Sequence, residues 1–375
     1  MSKLPNVTAS IFSVMSQLAN EHGAINLSQG FPNFPEDPRL LQIAEGLLTS
    51  NIHQYTPMTG LPSLLEKIAL QTYKQYQRKV NTATEMLITA GATQGIYTAI
   101  NALIGKDDEV IILDPSYDSY EPSVLVAGGT PVRVALNSDY TPDFNRIASA
   151  ITAKTKMIVI NNPHNPTGRI WTLADFEAFE LLLEKHPQIF ILSDEVYEYI
   201  TFSQTHISCN TREKLQHRTI IASSFGKSLH VTGWKVGYLI APENLMVEIK
   251  KVHQFLVFSV NSFGQHTIAS YLDVVDFNEI ATMYQQKRDL FQSLIKDSRF
   301  ELMPCDGTYF QVVSYKNITT ANDVDFAKEL ITKHGVAAIP ISVFYNDTTD
   351  RQMLRFCFAK TDETLIAAAE RLNTI

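Results

Sequence analysis

The 375-residue sequence has little cysteine and no excess of positive charge. Its three cysteines, Cys209, Cys305 and Cys357, are scattered and form no CxxC pair. This argues against a disulfide framework or a thiolate zinc site and reads as buried structural thiols. Lysine and arginine number 31 against 39 acidic residues, a formal net charge of −8. Such a chain has no global attraction for a polyanion, so no nucleic acid partner is expected. No apolar run is long enough to span a bilayer, and the first residues lack the continuous apolar stretch of a secretory signal. The expectation is a cytoplasmic protein with no membrane contact. The ten histidines show no HExxH spacing, so no metal is expected. Internal repeats and low-complexity linkers are missing as well.

What is present is the texture of a globular protein, 45% hydrophobic and 19% charged. The length implies about two domains. The first 45 residues read as irregular, with a Pro-rich patch GFPNFPEDP, and Leu61 to Tyr76 as an amphipathic helix. Short apolar runs follow at 86–89, 109–113, 157–161, 190–193, 219–223 and 236–241, with helices predicted at 92–104 and 174–185. Thr172 is a plausible N-cap for the second, with Phe176, Phe179 and Leu183 on one stripe. Such strands with helical crossovers predict an α/β fold, its largely parallel sheet covered on both faces. After about residue 275 come a charged helix near 278–296, GTYFQVVSY, a helix from Asp323 to His334 closed by Gly335, strands VAAIP and MLRFCF, and a helix over 363–372. This predicts a smaller α+β domain. The expected division is an N-terminal arm (1–45) joining the small domain, a large domain (46–275) and a C-terminal small domain (276–375).

Open α/β sheets bind ligands beyond the carboxyl ends of their strands. Here those ends read AGATQG, DPSYDSYEP, NPHNPTG, DEVYEY and SFGKS. The last contains Gly226-Lys227-Ser228, the order that closes a P-loop. A P-loop needs glycine five residues before Gly226, and Ile221 stands there. No G-x-G-x-x-G follows any of these strands either. The other reading of Lys227 is an amine that engages a carbonyl. Pyridoxal 5′-phosphate (PLP) supplies such a carbonyl and asks for a carboxylate at its ring nitrogen, anion-binding donors at its phosphate and an aromatic beside its ring. Asp194, then Ala92, Thr93, Ser224 and Lys235, and then Tyr117 are candidates in that order; Tyr197 and Asn165 are placed to reach a phenolic oxygen.

These residues, with NLSQGFPNFP (26–35), QYTPMTG (54–60), CDGTYF (305–310) and LRFCFAK (354–360), run in one order over nearly the whole chain. In combination they resemble the class I/II aminotransferases of the aspartate-aminotransferase-like PLP fold (fold type I), nearest the methionine aminotransferase and kynurenine–glutamine transaminase group. The resemblance implies Lys227 as the Schiff-base lysine, Asp194 on the pyridine nitrogen and Tyr197 on the phenolic oxygen. It implies Ser224, Lys235, Ala92 and Thr93 at the phosphate, Tyr117 stacked on the ring, and Asn165 touching cofactor and substrate. Arg355 matches the grip on the substrate α-carboxylate, and Gly30 a loop glycine nearby. Tyr55 matches a tyrosine given to the phosphate by a neighbouring subunit, which implies a homodimer with shared active sites. Phe12 stands where some kynurenine-type relatives have tryptophan, and Ser259, beside Phe258, where they have histidine. An apolar pocket around Phe12 and Phe258 favours methionine, glutamine or aromatic amino acids, with a 2-oxo acid as acceptor. The same residues would serve a β-lyase acting on cysteine S-conjugates.

Overall fold

The computed structural model describes residues 2–5, 7, 9–202, 204–347 and 349–375. Its strands in chain order are β1 (Ile25–Asn26), β2 (Met86–Thr89), β3 (Glu109–Asp114), β4 (Thr130–Ala135), β5 (Thr155–Asn161), β6 (Phe190–Asp194), β7 (Thr219–Ser224), β8 (Gly237–Ile240), β9 (Glu301–Leu302), β10 (Phe310–Ser314), β11 (Val336–Ala337), β12 (Ile339–Pro340) and β13 (Met353–Cys357). Strands β2 to β8 form one sheet in the order β2-β8-β7-β6-β5-β3-β4. Its strands run parallel except β8, which is antiparallel to both neighbours.

The six apolar runs are apolar throughout because both faces of this sheet are covered. Successive side chains point to opposite faces. Ile88, Ile111, Ile158, Ile191 and Ile221 enter one core, with Leu64, Phe176 and Phe179 from helices Pro62–Tyr76 and Leu173–Glu184. Leu87, Val110, Met157, Leu192 and Ile220 enter the other, with Ile96 and Ile249 from helices Gly91–Leu103 and Glu243–Leu256. Thr172 caps Leu173–Glu184 as expected. It accepts from the Asp175 N–H while Asp175 accepts from the Thr172 N–H, a complete capping box. Strand β4 has no counterpart among the apolar runs. It lies at the edge of the sheet, where Pro131 and Arg133 are tolerated.

A second sheet, β12-β13-β10-β9, is antiparallel. It packs with helices Phe277–Ile295, Asp323–His334 and Asp362–Leu372 around a third core. Gly335 ends the middle helix at φ 69°, the left-handed cap its position called for. VAAIP is not one strand. Val336–Ala337 pairs in parallel with β1, and Ile339–Pro340 pairs with β13, so the chain changes partner at Ala338. The first 45 residues are not irregular either. Helix Ile11–Glu21 places Met15 and Ala19 in the third core, and helix Pro38–Leu47 begins on an Asp37 cap with Pro38 at its first position.

Candidate active site

The carboxyl ends of β2, β3, β5, β6 and β7 converge on a cleft of about 280 Å³. The reversal of β8 adds a sixth contributor. Gly237 at its start pairs with Thr89 and Ser224 at the ends of β2 and β7, so the residue that enters β8, Lys235, arrives at the same edge. The second sheet closes the cleft with Arg355 from β13, and the N-terminal segment adds Phe12 and Gly30. Twelve of the fourteen residues singled out from the sequence line it: Phe12, Gly30, Ala92, Thr93, Tyr117, Asn165, Asp194, Tyr197, Ser224, Lys227, Lys235 and Arg355.

Tyr55 and Phe258 do not line it. Phe258 adopts φ 65° just past helix Glu243–Leu256, and its ring packs edge-on against Tyr55 at 5.6 Å. Both lie on the surface, Tyr55 83% exposed and Phe258 47% exposed. Within one chain the left-handed turn carries the Phe258 ring outward, away from this cleft and beside Tyr55.

Asp194 is buried at the end of β6. Burial pushes its carboxyl up to about 6; a hydrogen bond from the Tyr120 hydroxyl at 2.5 Å and the Val196 N–H act the other way. Asn161 braces the turn: its amide donates to the Asp194 carbonyl at 2.9 Å, and its Oδ1 accepts from the Asn165 N–H at 2.7 Å. Lys227 lies on the short turn Phe225–Ser228, capped by Ser224, whose Oγ accepts from the Gly226 N–H. Burial, helped by repulsion from Arg355 and Lys235, pulls its amine down to about 8. Cys357 and Asp194 oppose that shift.

Arg355 is a buried cation that forms no ion pair among the described residues. Its Nη1 donates to Asn165 Oδ1 at 2.8 Å and its Nη2 to the Ser28 carbonyl at 3.3 Å, while Nε has no partner. The rings of Phe310, Phe12 and Phe344 surround the guanidinium at 3.8, 5.2 and 5.2 Å. Burial pulls it down to about 10. A desolvated cation with an idle donor is a seat for an anionic ligand. A second anion cradle lies at the start of helix Gly91–Leu103, opposite Ser224 and Lys235. Its backbone is kept bare: a Cβ on Gly91 would sit 3.2 Å from Lys235 Nζ, and one on Gly237 2.9 Å from the Ala92 nitrogen.

Sequence reasoning missed Tyr120, although it stands three residues after Tyr117. It also missed Glu195 and Glu198, which point away from the cleft. Glu195 accepts from Ser193, His206 and the Cys209 N–H; Glu198 accepts from the hydroxyls of Tyr76, Ser223 and Tyr238. Tyr309, on the CDGTYF block, donates to the Gly30 carbonyl at 2.5 Å and stands edge-on to Tyr197. All three cysteines are buried and free.

A reactive amine, a buried acid and two anion seats at the carboxyl edge of an α/β sheet define a PLP-dependent enzyme of the type I transferase fold. Residues 22–372 match the family aminotransferase class I and II, and the chain belongs to that family. It is 44% identical to the methionine aminotransferase of Escherichia coli (strain K12), over 100% of this chain and 98% of that protein. It is 32% identical to the kynurenine–oxoglutarate transaminase of Dictyostelium discoideum, over 97% and 93%. A crystal structure of an Escherichia coli protein identified as a methionine aminotransferase superposes with a TM-score of 0.97 at 44% identity, covering 100% of this chain and 99% of that one. The chain is thus a PLP-dependent aminotransferase whose substrates are amino and 2-oxo acids. The cleft fits the cofactor: among the described residues Asp194 forms no ion pair within salt-bridge distance, Lys227 is an amine of lowered basicity, and the bare helix start with Lys235 suits a phosphate.

Proposed function

We propose that this aminotransferase prefers methionine and other large apolar or aromatic amino acids as donors. The observation that carries the reading is Arg355, a buried cation whose Nε is left without a partner, inside an aromatic wall. It seats an α-carboxylate with Asn165, and Phe12 offers the side chain an apolar surface. The names of the relatives in Escherichia coli and Dictyostelium discoideum support the same pocket chemistry.

Bound PLP supplies a carbonyl for the amino group and a ring that accepts electrons. Ala92, Thr93, Ser224 and Lys235 would hold its phosphate, Tyr117 would lie beside its ring, and Tyr197 and Asn165 would hydrogen-bond its phenolic oxygen. Asp194 keeps a proton on the ring nitrogen; an adjacent cation relieves the penalty of its burial. Lys227 Nζ takes the α-proton of the bound amino acid. An amine near 8 leaves about a tenth of the groups unprotonated at pH 7, against about one in three thousand for an ordinary lysine.

A second copy of the chain completes the site in this reading. Tyr55, Phe258 and Phe255 expose 83%, 47% and 87% of their surface, a patch that a homodimer would bury while delivering Tyr55 to the partner's phosphate. The free thiols support a reducing compartment, the cytoplasm. The test is a panel of amino donors against 2-oxo acids, following the cofactor's absorbance. Methionine should exceed aspartate in kcat/KM by about tenfold or more. Faster turnover of aspartate refutes the pocket reading.

A further inference from the structure

The block LRFCFAK ends on Lys360, which has no part in the reading above. Lys360 follows β13 and is 3% exposed. Its ammonium donates to the Phe31 carbonyl at 2.7 Å and the Gln29 carbonyl at 3.4 Å, and stands 5.1 Å from the centre of the Phe31 ring. Among the described residues it forms no ion pair. A buried cation needs its donors satisfied, and here an irregular segment satisfies them.

That segment has no helix or strand over residues 27–36. Side chains take its carbonyls one after another. Arg355 takes Ser28, Lys360 takes Gln29, Tyr309 and Lys227 take Gly30, and Lys360 takes Phe31. Further along, Asn33 is tied to the Thr361 N–H and the Thr364 hydroxyl. The Lys227 bond to Gly30 is long, 3.4 Å, and is given up whenever that nitrogen is engaged elsewhere. Lys360 and Tyr309 then hold the segment. Its backbone is fixed, but the Phe31 ring is 46% exposed and lines the cleft with Gln29 and Gly30. A pinned backbone under a free aromatic ring is a cover for whatever occupies the cleft.

Resting on the apolar-donor reading above, we infer that Lys360 is a positioning residue for substrate selection. It holds Phe31 across the part of the cleft that takes the substrate side chain, so large apolar side chains gain contact that small ones cannot reach.

The test is a double-mutant cycle on the PLP-loaded enzyme: Lys360→Met, Phe31→Ala and both together. Each is assayed with methionine and alanine, and each is followed by amide hydrogen exchange across residues 27–33. Lys360→Met should cut the preference for methionine over alanine by about tenfold, mostly through the KM for methionine. Exchange in the segment should accelerate by about tenfold, since its opening becomes easier. Phe31→Ala should lose the same preference, and the double variant should lose no more than either single one. Lys360→Arg keeps a donor for two carbonyls and should restore most of the preference; it also serves if the methionine variant does not fold. Equal losses on both substrates, additive effects, or unchanged exchange would overturn the inference. An enzyme that ignores methionine but accepts another apolar donor defeats the substrate preference only; exchange and the cycle, run with that donor, still decide the role of Lys360.

Discussion

Asp194 and Glu198 are buried acids four residues apart on one segment, and they are satisfied very differently. Glu198 points behind the sheet and accepts three hydroxyls, from Tyr76 at 2.6 Å, Ser223 at 2.6 Å and Tyr238 at 2.9 Å. Asp194 points into the cleft, with one hydroxyl and one long N–H bond. Burial raises both above the ordinary carboxylate range. Burial and a shifted pKa therefore do not separate a structural acid from one with chemistry to do. The completeness of the donor shell does, because an acid left short of partners and facing a cavity is prepared for a ligand to complete it.

The largest effect that would sharpen this contrast is expected at Asp194. Asp194→Asn should lower kcat/KM by about a thousandfold or more, an effect of about 4 kcal/mol on the transition state. The cofactor-free protein should behave oppositely. A folded-state value near 6, above the ordinary 3.8, means that the Asp194 contribution to stability is full below pH 4 and is lost as pH rises through 6. At pH 8 the asparagine variant should thus unfold later than the parent, by up to ~3 kcal/mol, in urea titrations of the cofactor-free form. An asparagine variant that is both active and less stable would erase the distinction. Glu198→Ala comes next. It strands three hydroxyls and should cost about 3–5 kcal/mol of stability, while activity per folded molecule falls less than tenfold. Activity falling a thousandfold with stability intact would place Glu198 with Asp194. The smallest effect is expected from Tyr120→Phe. Without that donor the Asp194 carboxyl rises further, and kcat/KM should fall about tenfold, as for other residues that orient a functional group from behind. The acid side of the pH–rate profile should move to higher pH; an unchanged profile would remove Tyr120 from the site.

The same segment shows how far the sequence could be read. DEVYEY announced itself as a strand end, and that sufficed to bring Asp194 and Tyr197 to the cleft. It did not say which side chains face the cleft and which face away, so Glu195 and Glu198 stayed silent. Apart from Ser193, their partners come from residues 76, 206, 209, 223 and 238, separations that no local pattern reveals. The PLP-binding edge was legible because each strand end carried its own polar residue. The N-terminal helices were not, because prolines drew attention to turns. Asp37-Pro38 is in fact a helix start, an acid that accepts from the Arg39 N–H followed by a residue whose missing N–H costs nothing there. The direction of the Phe258 ring was hidden for a related reason: a ring that faces its own cleft and one that faces outward look alike until the turn that aims them is known.

The reversed direction of β8 has a consequence for how this enzyme can change. Strands β2, β3, β5 and β6 reach the cleft at ends where the chain goes on into a crossover to a parallel strand, and an altered residue there disturbs the exit of the strand and the connection that follows; β7 instead turns back into its antiparallel neighbour β8. Lys235 sits where a strand is entered, in a short turn with φ 56°. Charge and reach at this end of the cleft, proposed above as the phosphate seat, can therefore be retuned by one substitution there, with no crossover to rebuild. The left-handed backbone at Lys235 then sets the limit on which side chains can stand there.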